Sequence, residues 1–203
     1  VWNLNKRYLL ALEKLGINIP QTYIAAKNCK KTLRKIVEHQ DWKEIVIKPC
    51  VSAAGWNTHY VKCPNSHEAE KLFSDLNKAR DVIVQCFQQN IIQKGEMSFM
   101  VIDGKYSHAV LKKAKAGDFR VQDDFGGSVM PYGPTKKEIT FVQNVIRSIP
   151  FNPIYARVDV IVDNFNKLAV SELELIEPEM WFRFHDKAAR LLALAIERRV
   201  SMA

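Results

Sequence analysis

The segment from Tyr155 to Ile176 limits the possible folds more than any other, because its alternation can be counted residue by residue. In its first half, Ala156, Val158, Val160 and Val162 fall on one face of an extended strand, while Tyr155, Arg157, Asp159 and Ile161 fall on the other. The chain turns at Asp163-Asn164-Phe165-Asn166, and Ala169, Ser171, Leu173 and Leu175 then alternate with Val170, Glu172 and Glu174. If 163–166 is the whole loop, Val162 faces Lys167, Arg157 lies opposite Glu172, and Asp159 lies opposite Val170 and diagonal to Glu172. One face is then apolar core, and the other gathers three carboxylates and an arginine. A slip of one residue would scatter that set. Three carboxylates on one sheet face repel unless cations offset them, and an all-oxygen set suits a hard ion such as magnesium. A salt-bridge cluster centred on Arg157 satisfies the same pattern.

The remaining pattern is mixed. A helix is expected from an Asn3 cap through Tyr8, Leu9, Leu12 and Leu15 to a stop at Gly16, and a short strand ends near Ile24. A second helix covers about Lys30 to His39, and Glu44 to Pro49 reads as a strand with another near His59 to Lys62. Ser66 caps a third helix through Ala69, Leu72, Phe73 and Leu76, and Asp81 to Phe87 is a strand. Met97–Ile102 and Tyr106–Leu111 flank Asp103-Gly104, a strong hairpin signal. Lys112 to Pro131 reads as a long functional loop, Pro134 opens a helix to about Ser148, and Asp186 begins a last helix with Leu191, Leu192, Ala195 and Ile196 inward. Helices and hairpins without a steady βαβ rhythm predict an α+β protein of two lobes, 1–88 and 89–203.

At 203 residues and 47% apolar composition the chain can bury a real core, and its apolar runs fall far below the roughly 18 residues of a membrane span. Cys29, Cys50, Cys63 and Cys86 have no CxxC spacing and read as reduced thiols of a cytoplasmic protein. The formal charge of +8 implies anionic partners. The basic clusters Lys27/Lys30/Lys31/Arg34/Lys35 and Lys112/Lys113/Lys115 fit solvated faces or phosphate loops better than nucleic acid, since no aromatics interleave with them. Lys48 sits inside the apolar strand Ile45-Val46-Ile47, just before Pro49, and needs an anionic partner or a route to water. Ser52-Ala53-Ala54-Gly55 follows it, a run of small residues whose backbone amides could cover phosphates.

Taken together, Lys112-Lys113-Ala114-Lys115-Ala116-Gly117-Asp118-Phe119-Arg120 with Gly126-Gly127, and Asp159 with Glu172-Leu173-Glu174, resemble the large loop and the acidic metal site of ATP-grasp ligases. The likeness runs over nearly the whole chain. It is strongest to the glutathione synthetase and ribosomal-protein glutamate ligase branch, and within it to the cyclo-ligase type of cycloserine biosynthesis. The resemblance implies two α+β lobes with a nucleotide cleft between them, with ATP and Mg2+ as cofactors. It further implies Lys6 and Lys48 as nucleotide-binding lysines, Ser52 to Gly55 as the phosphate loop, and Gln85, Phe87 and Gln88 as the adenine hinge. Glu96 would take the ribose, Lys48 and Arg120 would act catalytically on the transferring phosphoryl group, and Asp159, Glu172 and Glu174 would hold the metal.

The second acidic motif normally reads Glu-x-Asn, Arg157 is an unusual neighbour, and Gln122 and Phe125 stand where glutamate ligases carry Asn and a basic residue. The family's N-terminal substrate domain does not precede Val1, so a piece of a longer chain is expected. The implied reaction joins a small carboxylate to an amine or similar nucleophile. The rivals are an ATP-binding module without ligase activity and a basic nucleic-acid binder. A homo-oligomer is compatible with the sequence, which does not fix the oligomeric state.

Overall fold

The computed structural model describes residues 2–52, 55–115 and 126–201. The chain divides into two compact units, one of residues 1–10 and 20–88 and the other of residues 11–19 and 89–203.

The first unit carries a four-stranded antiparallel sheet in the order β1 (Thr22–Ala25), β4 (Val82–Cys86), β2 (Ile45–Pro49), β3 (His59–Val61). Two helices, α2 (Leu33–Gln40) and α3 (His67–Ala79), cover it. Each starts where a hydroxyl supplies the missing acceptor: Thr32 takes the Lys35 N–H and Ser66 takes the Ala69 N–H. Leu33, Ile36 and Val37 meet Ala69 and Phe73 over Ile45, Ile47, Val82 and Val84, which form the core. Helix α1 is Tyr8–Lys14, shorter than expected. Trp2–Leu4 forms a separate 3₁₀ turn, and the Asn5 side chain, not Asn3, accepts the Arg7 N–H ahead of the helix.

The second unit is built on a five-stranded antiparallel sheet in the order β7 (Ser128–Tyr132), β6 (Lys105–Lys113), β5 (Glu96–Ile102), β8 (Tyr155–Val162), β9 (Leu168–Glu174). Asp103 and Gly104 both have positive φ, as a tight two-residue hairpin demands. The expected loop from Lys112 to Pro131 is bounded by strand at both ends, since Lys112 and Lys113 close β6 and Pro131 lies in β7; residues 116–125, with Arg120, Gln122 and Phe125, lie outside the described residues. Helix α4 (Asn90–Lys94) was not legible in the sequence, and α5 (Lys136–Ser148) begins behind a Thr135/Glu138 capping box one residue after Pro134.

Helix α6 (Ala188–Val200) meets expectation in part. Ala195 is buried, as is Ala188, and Leu192 packs half-buried against the core, whereas Leu191 and Ile196 are 42% and 46% exposed. Met180, Trp181 and Phe184 already fill the sheet face beside Met100, Ile102 and Val110.

Between α4 and β5 the chain must pass close to its neighbour. Gly95 has φ +75°, and a Cβ placed there would stand 2.3 Å from the Lys112 carbonyl oxygen. Gly95→Ala is expected to cost roughly 1–3 kcal/mol in chemical denaturation, through left-handed strain and displacement of β6. An unchanged midpoint would show that this approach is not tight.

Candidate metal and nucleotide site

The hairpin of β8 and β9 does not have the register counted from the sequence. Asp163 is buried, and its Oδ1 accepts the N–H groups of Phe165 and Lys167, so the loop takes five residues and Val162 faces Leu168. A bulge then inserts Ser171, because Val160 pairs with Val170 while Asp159 pairs with Glu172. These two displacements put Asp159 directly opposite Glu172, and Arg157 opposite Glu174. The carboxylates still converge: one oxygen from each of Asp159, Glu172 and Glu174 lies within 4.8 Å of the others.

Across the sheet the same face continues into β5 and β6, where Ser98 faces Asp159 and Glu96 faces Lys112. The Ser98 hydroxyl donates to Asp159 at 2.6 Å, and Lys112 Nζ reaches Glu96 at 2.5 Å and Asp159 at 3.3 Å. Arg157 grips Asp159 through Nε at 3.0 Å and Nη2 at 2.9 Å and also pairs with Glu174. The bulged Ser171 turns its hydroxyl to Glu96 at 2.6 Å. Lys112 and Arg157 thus sit among four carboxylates, pairing with Glu96, Asp159 and Glu174. Both patterns open in the sequence, the arginine-centred ion pairs and the converging carboxylates, occur in one cluster.

Ionisation follows from these contacts. Burial opposes charge on Asp159, but Arg157, Lys112 and the Ser98 hydroxyl outweigh it and hold the carboxyl down at about 2. Burial likewise opposes charge on Lys112, yet Asp159 and Glu96 raise its pKa, so it stays an ammonium. Glu174 goes the other way: burial, reinforced by Asp159, pushes it up to about 7 despite its ion pair with Arg157. The all-oxygen donor set and its convergence fit a divalent hard cation held by Asp159, Glu172 and Glu174.

Lys112 is the residue that sequence reasoning misplaced. Its run of lysines reads as a solvated basic patch, but its side chain is 5% exposed and ion-paired. The turn alone does not reveal it: with Ile102 opposite Lys105, the Asp103-Gly104 hairpin would set Glu96 opposite Leu111, and it is a bulge between Met100 and Val101 that shifts the register by one and brings Lys112 opposite Glu96. Glu96 itself is buried in the carboxylate cluster.

In the first unit, Lys6 is buried, with its ammonium donating to the Ser52 carbonyl at 2.9 Å and its N–H donating to Cys50 O at 2.8 Å. Lys6 thus anchors the small-residue run at Ser52; Gly55, at its far end, has φ +66°. Ala53 and Ala54 lie outside the described residues. Lys48 is half-buried on β2 opposite Ile83. Gln85 is buried and donates from Nε2 to Thr22 Oγ1 at 2.8 Å, and Gln88 Nε2 donates to the Cys86 carbonyl at 2.9 Å. Phe87 stacks on Tyr60 with ring centroids 4.2 Å apart.

Two antiparallel sheets with flanking helices, arranged in this order, make an ATP-grasp fold. Residues 6–173 match the ATP-grasp domain of prokaryotic glutathione synthetase, and the chain belongs to that family. Among solved structures it is similar to the D-cycloserine synthetase DcsG, with a TM-score of 0.86 and 22% identity over 98% of this chain and 70% of that one. It is also similar to the D-alanine–D-alanine ligase of Bacillus anthracis, with a TM-score of 0.75 and 16% identity over 98% of this chain and 68% of that one. The ATP-grasp ligase PsnB, in complex with a minimal precursor, matches with a TM-score of 0.65 and 18% identity over 96% of this chain and 60% of that one. A search of curated protein sequences finds no match.

In the metal-free protein, Glu174 binds more proton folded than unfolded between its ordinary 4.5 and about 7, so stability falls as pH rises through that window. Glu174→Gln cannot ionise, and its Tm relative to the wild type is expected to climb between about pH 5 and about pH 8. A difference that stays flat with pH would contradict the assigned shift.

Proposed function

We propose that this chain is the nucleotide- and metal-binding part of an ATP-dependent carboxylate ligase. A substrate carboxylate attacks the γ-phosphorus of ATP, the bond to the β-phosphate oxygen breaks, and ADP leaves with its electron pair. The acyl phosphate so formed is attacked by an amine or similar nucleophile, which displaces phosphate. The observation that carries this reading is the convergence of Asp159, Glu172 and Glu174, with one oxygen of each within 4.8 Å of the others. Family membership supports it, as does the PsnB complex with its precursor, Mg and ADP.

Asp159, Glu172 and Glu174 would hold Mg2+, which when bound shields the charge of the phosphates. Lys6 and Lys48 would neutralise phosphate oxygens, with the 52–55 run closing over them through its N–H groups. Gln85, Phe87 and Gln88 would line the adenine, Glu96 would accept the ribose hydroxyls, and Arg120 would stabilise the transferring phosphoryl group. No protein nucleophile is required, since phosphoryl transfer is carried by positioning and charge. The buried Cys50, whose thiol burial pushes up to about 11, is poorly suited to be one.

MgATP is expected to raise the Tm of this chain, and Lys48→Ala together with Glu172→Ala to abolish the rise. A screen of amino acids and small dicarboxylates with amine acceptors should then find pairs that release ADP. Absence of any MgATP-dependent shift would overturn the assignment, while a shift without ADP release from any pair would favour a binding module.

A further inference from the structure

The two cations of the carboxylate cluster share a third kind of neighbour. Lys112 Nζ lies 5.5 Å, and Arg157 Cζ 5.1 Å, from the ring centroid of Trp181. Trp181 is 4% exposed and joins the core of the second unit. Its backbone is left-handed, with φ 44° and ψ 43°, a conformation that a bulky residue keeps only where its surroundings hold it. Those surroundings are visible on both sides. The Trp181 N–H donates to Glu179 Oε1 at 2.9 Å, and the preceding Met180 carbonyl accepts from His108 Nε2 at 2.9 Å. The indole N–H itself is buried and has no hydrogen-bond partner among the described residues. The ring's own polar atom therefore does not set its position.

We propose that Trp181 is a positioning residue of the metal site: its ring holds Arg157 and Lys112 when Asp159 and Glu174 turn to a divalent cation. This role rests on the metal reading given above. Lys112 keeps its ion pair with Glu96 when Asp159 turns away, but the buried guanidinium of Arg157, paired with Asp159 and Glu174, cannot release them at small cost unless another partner remains. An indole face attracts both cations without offering an oxygen that competes for the metal, and among aromatic rings it attracts them most strongly. With the face present, the carboxylates can exchange cations for metal. Without it, Arg157 stays bound to Asp159 and Glu174 and the metal competes poorly.

The test is Mn2+ uptake, followed by the electron-spin signal of the free ion, in wild-type protein, Trp181→Phe and Trp181→Leu, each also grown with 5-fluorotryptophan. Fluorination preserves the shape of the ring while withdrawing charge from its face. Trp181→Leu is expected to weaken Mn2+ binding about three- to thirtyfold, and Trp181→Phe, which keeps a face and loses an unpartnered N–H, by less. Fluorotryptophan should weaken binding in the wild type and have no effect in Trp181→Phe. The Arg157 Nε–H resonance, assigned by its loss in Arg157→Lys, should lose its ring-current shift in Trp181→Leu. Mn2+ uptake indifferent to fluorotryptophan and to both variants overturns the role of Trp181. A wild-type protein that takes up no Mn2+ overturns the metal reading itself.

Discussion

Carboxylates placed inside a sheet covered on both faces must have cations in contact or lose their charge, and the second unit is organised around that requirement. Asp159 is 1% exposed, and Glu96, Lys112 and Arg157 are each under a tenth exposed. Desolvating so many charges is costly, and the attraction between them does not return a surplus of stability. Apolar residues of similar size would pack there at less expense. The proposed metal-binding role would account for the cluster's being kept, and the apolar residues Met100, Ile102, Val110 and Trp181 on the same face support it.

Four backbone features assemble it. Gly95 lets β5 start beside the Lys112 carbonyl, and a bulge between Met100 and Val101 sets Glu96 against Lys112. The five-residue loop held by Asp163 shifts β9 by one residue, and the Ser171 bulge shifts it by one more. A single shift would have sent Glu172 and Glu174 to the wrong face; two restore them. The extra residue is itself used, since its hydroxyl binds Glu96. Bulges beside functional groups commonly re-aim side chains in this way.

Much of the fold was legible because its signals are local. Asp103-Gly104 specifies a tight hairpin, Ser66 a helix start, and the β-branched run before Pro49 a strand, and each occurs where expected. The right face for Asp159, Glu172 and Glu174 was also legible, because period-2 alternation survives a shift of two. The pairing within that face was not, since a bulge leaves no mark in composition and Asp163 gives no sign that its carboxylate closes a longer loop. Lys112 was obscured by its flanking lysines, and Trp181 by distance along the chain from the cations it touches. Helix α6 misled in part, because Ala188, Ala195 and half-buried Leu192 face the core while Leu191 and Ile196 do not, a choice made by the aromatic residues already there. Arg120 lies outside the described residues, so its role rests on the family motif alone.

The chain has the ATP-grasp fold and belongs to that family, and on the proposed reading the β8–β9 hairpin is where it would hold metal. Anomalous diffraction from crystals soaked in Mn2+ tests that most directly. The account predicts a peak ringed by oxygens of Asp159, Glu172 and Glu174, with Arg157 moved off Glu174. A peak elsewhere, or an unchanged Arg157–Glu174 pair with no density among the three carboxylates, would contradict it.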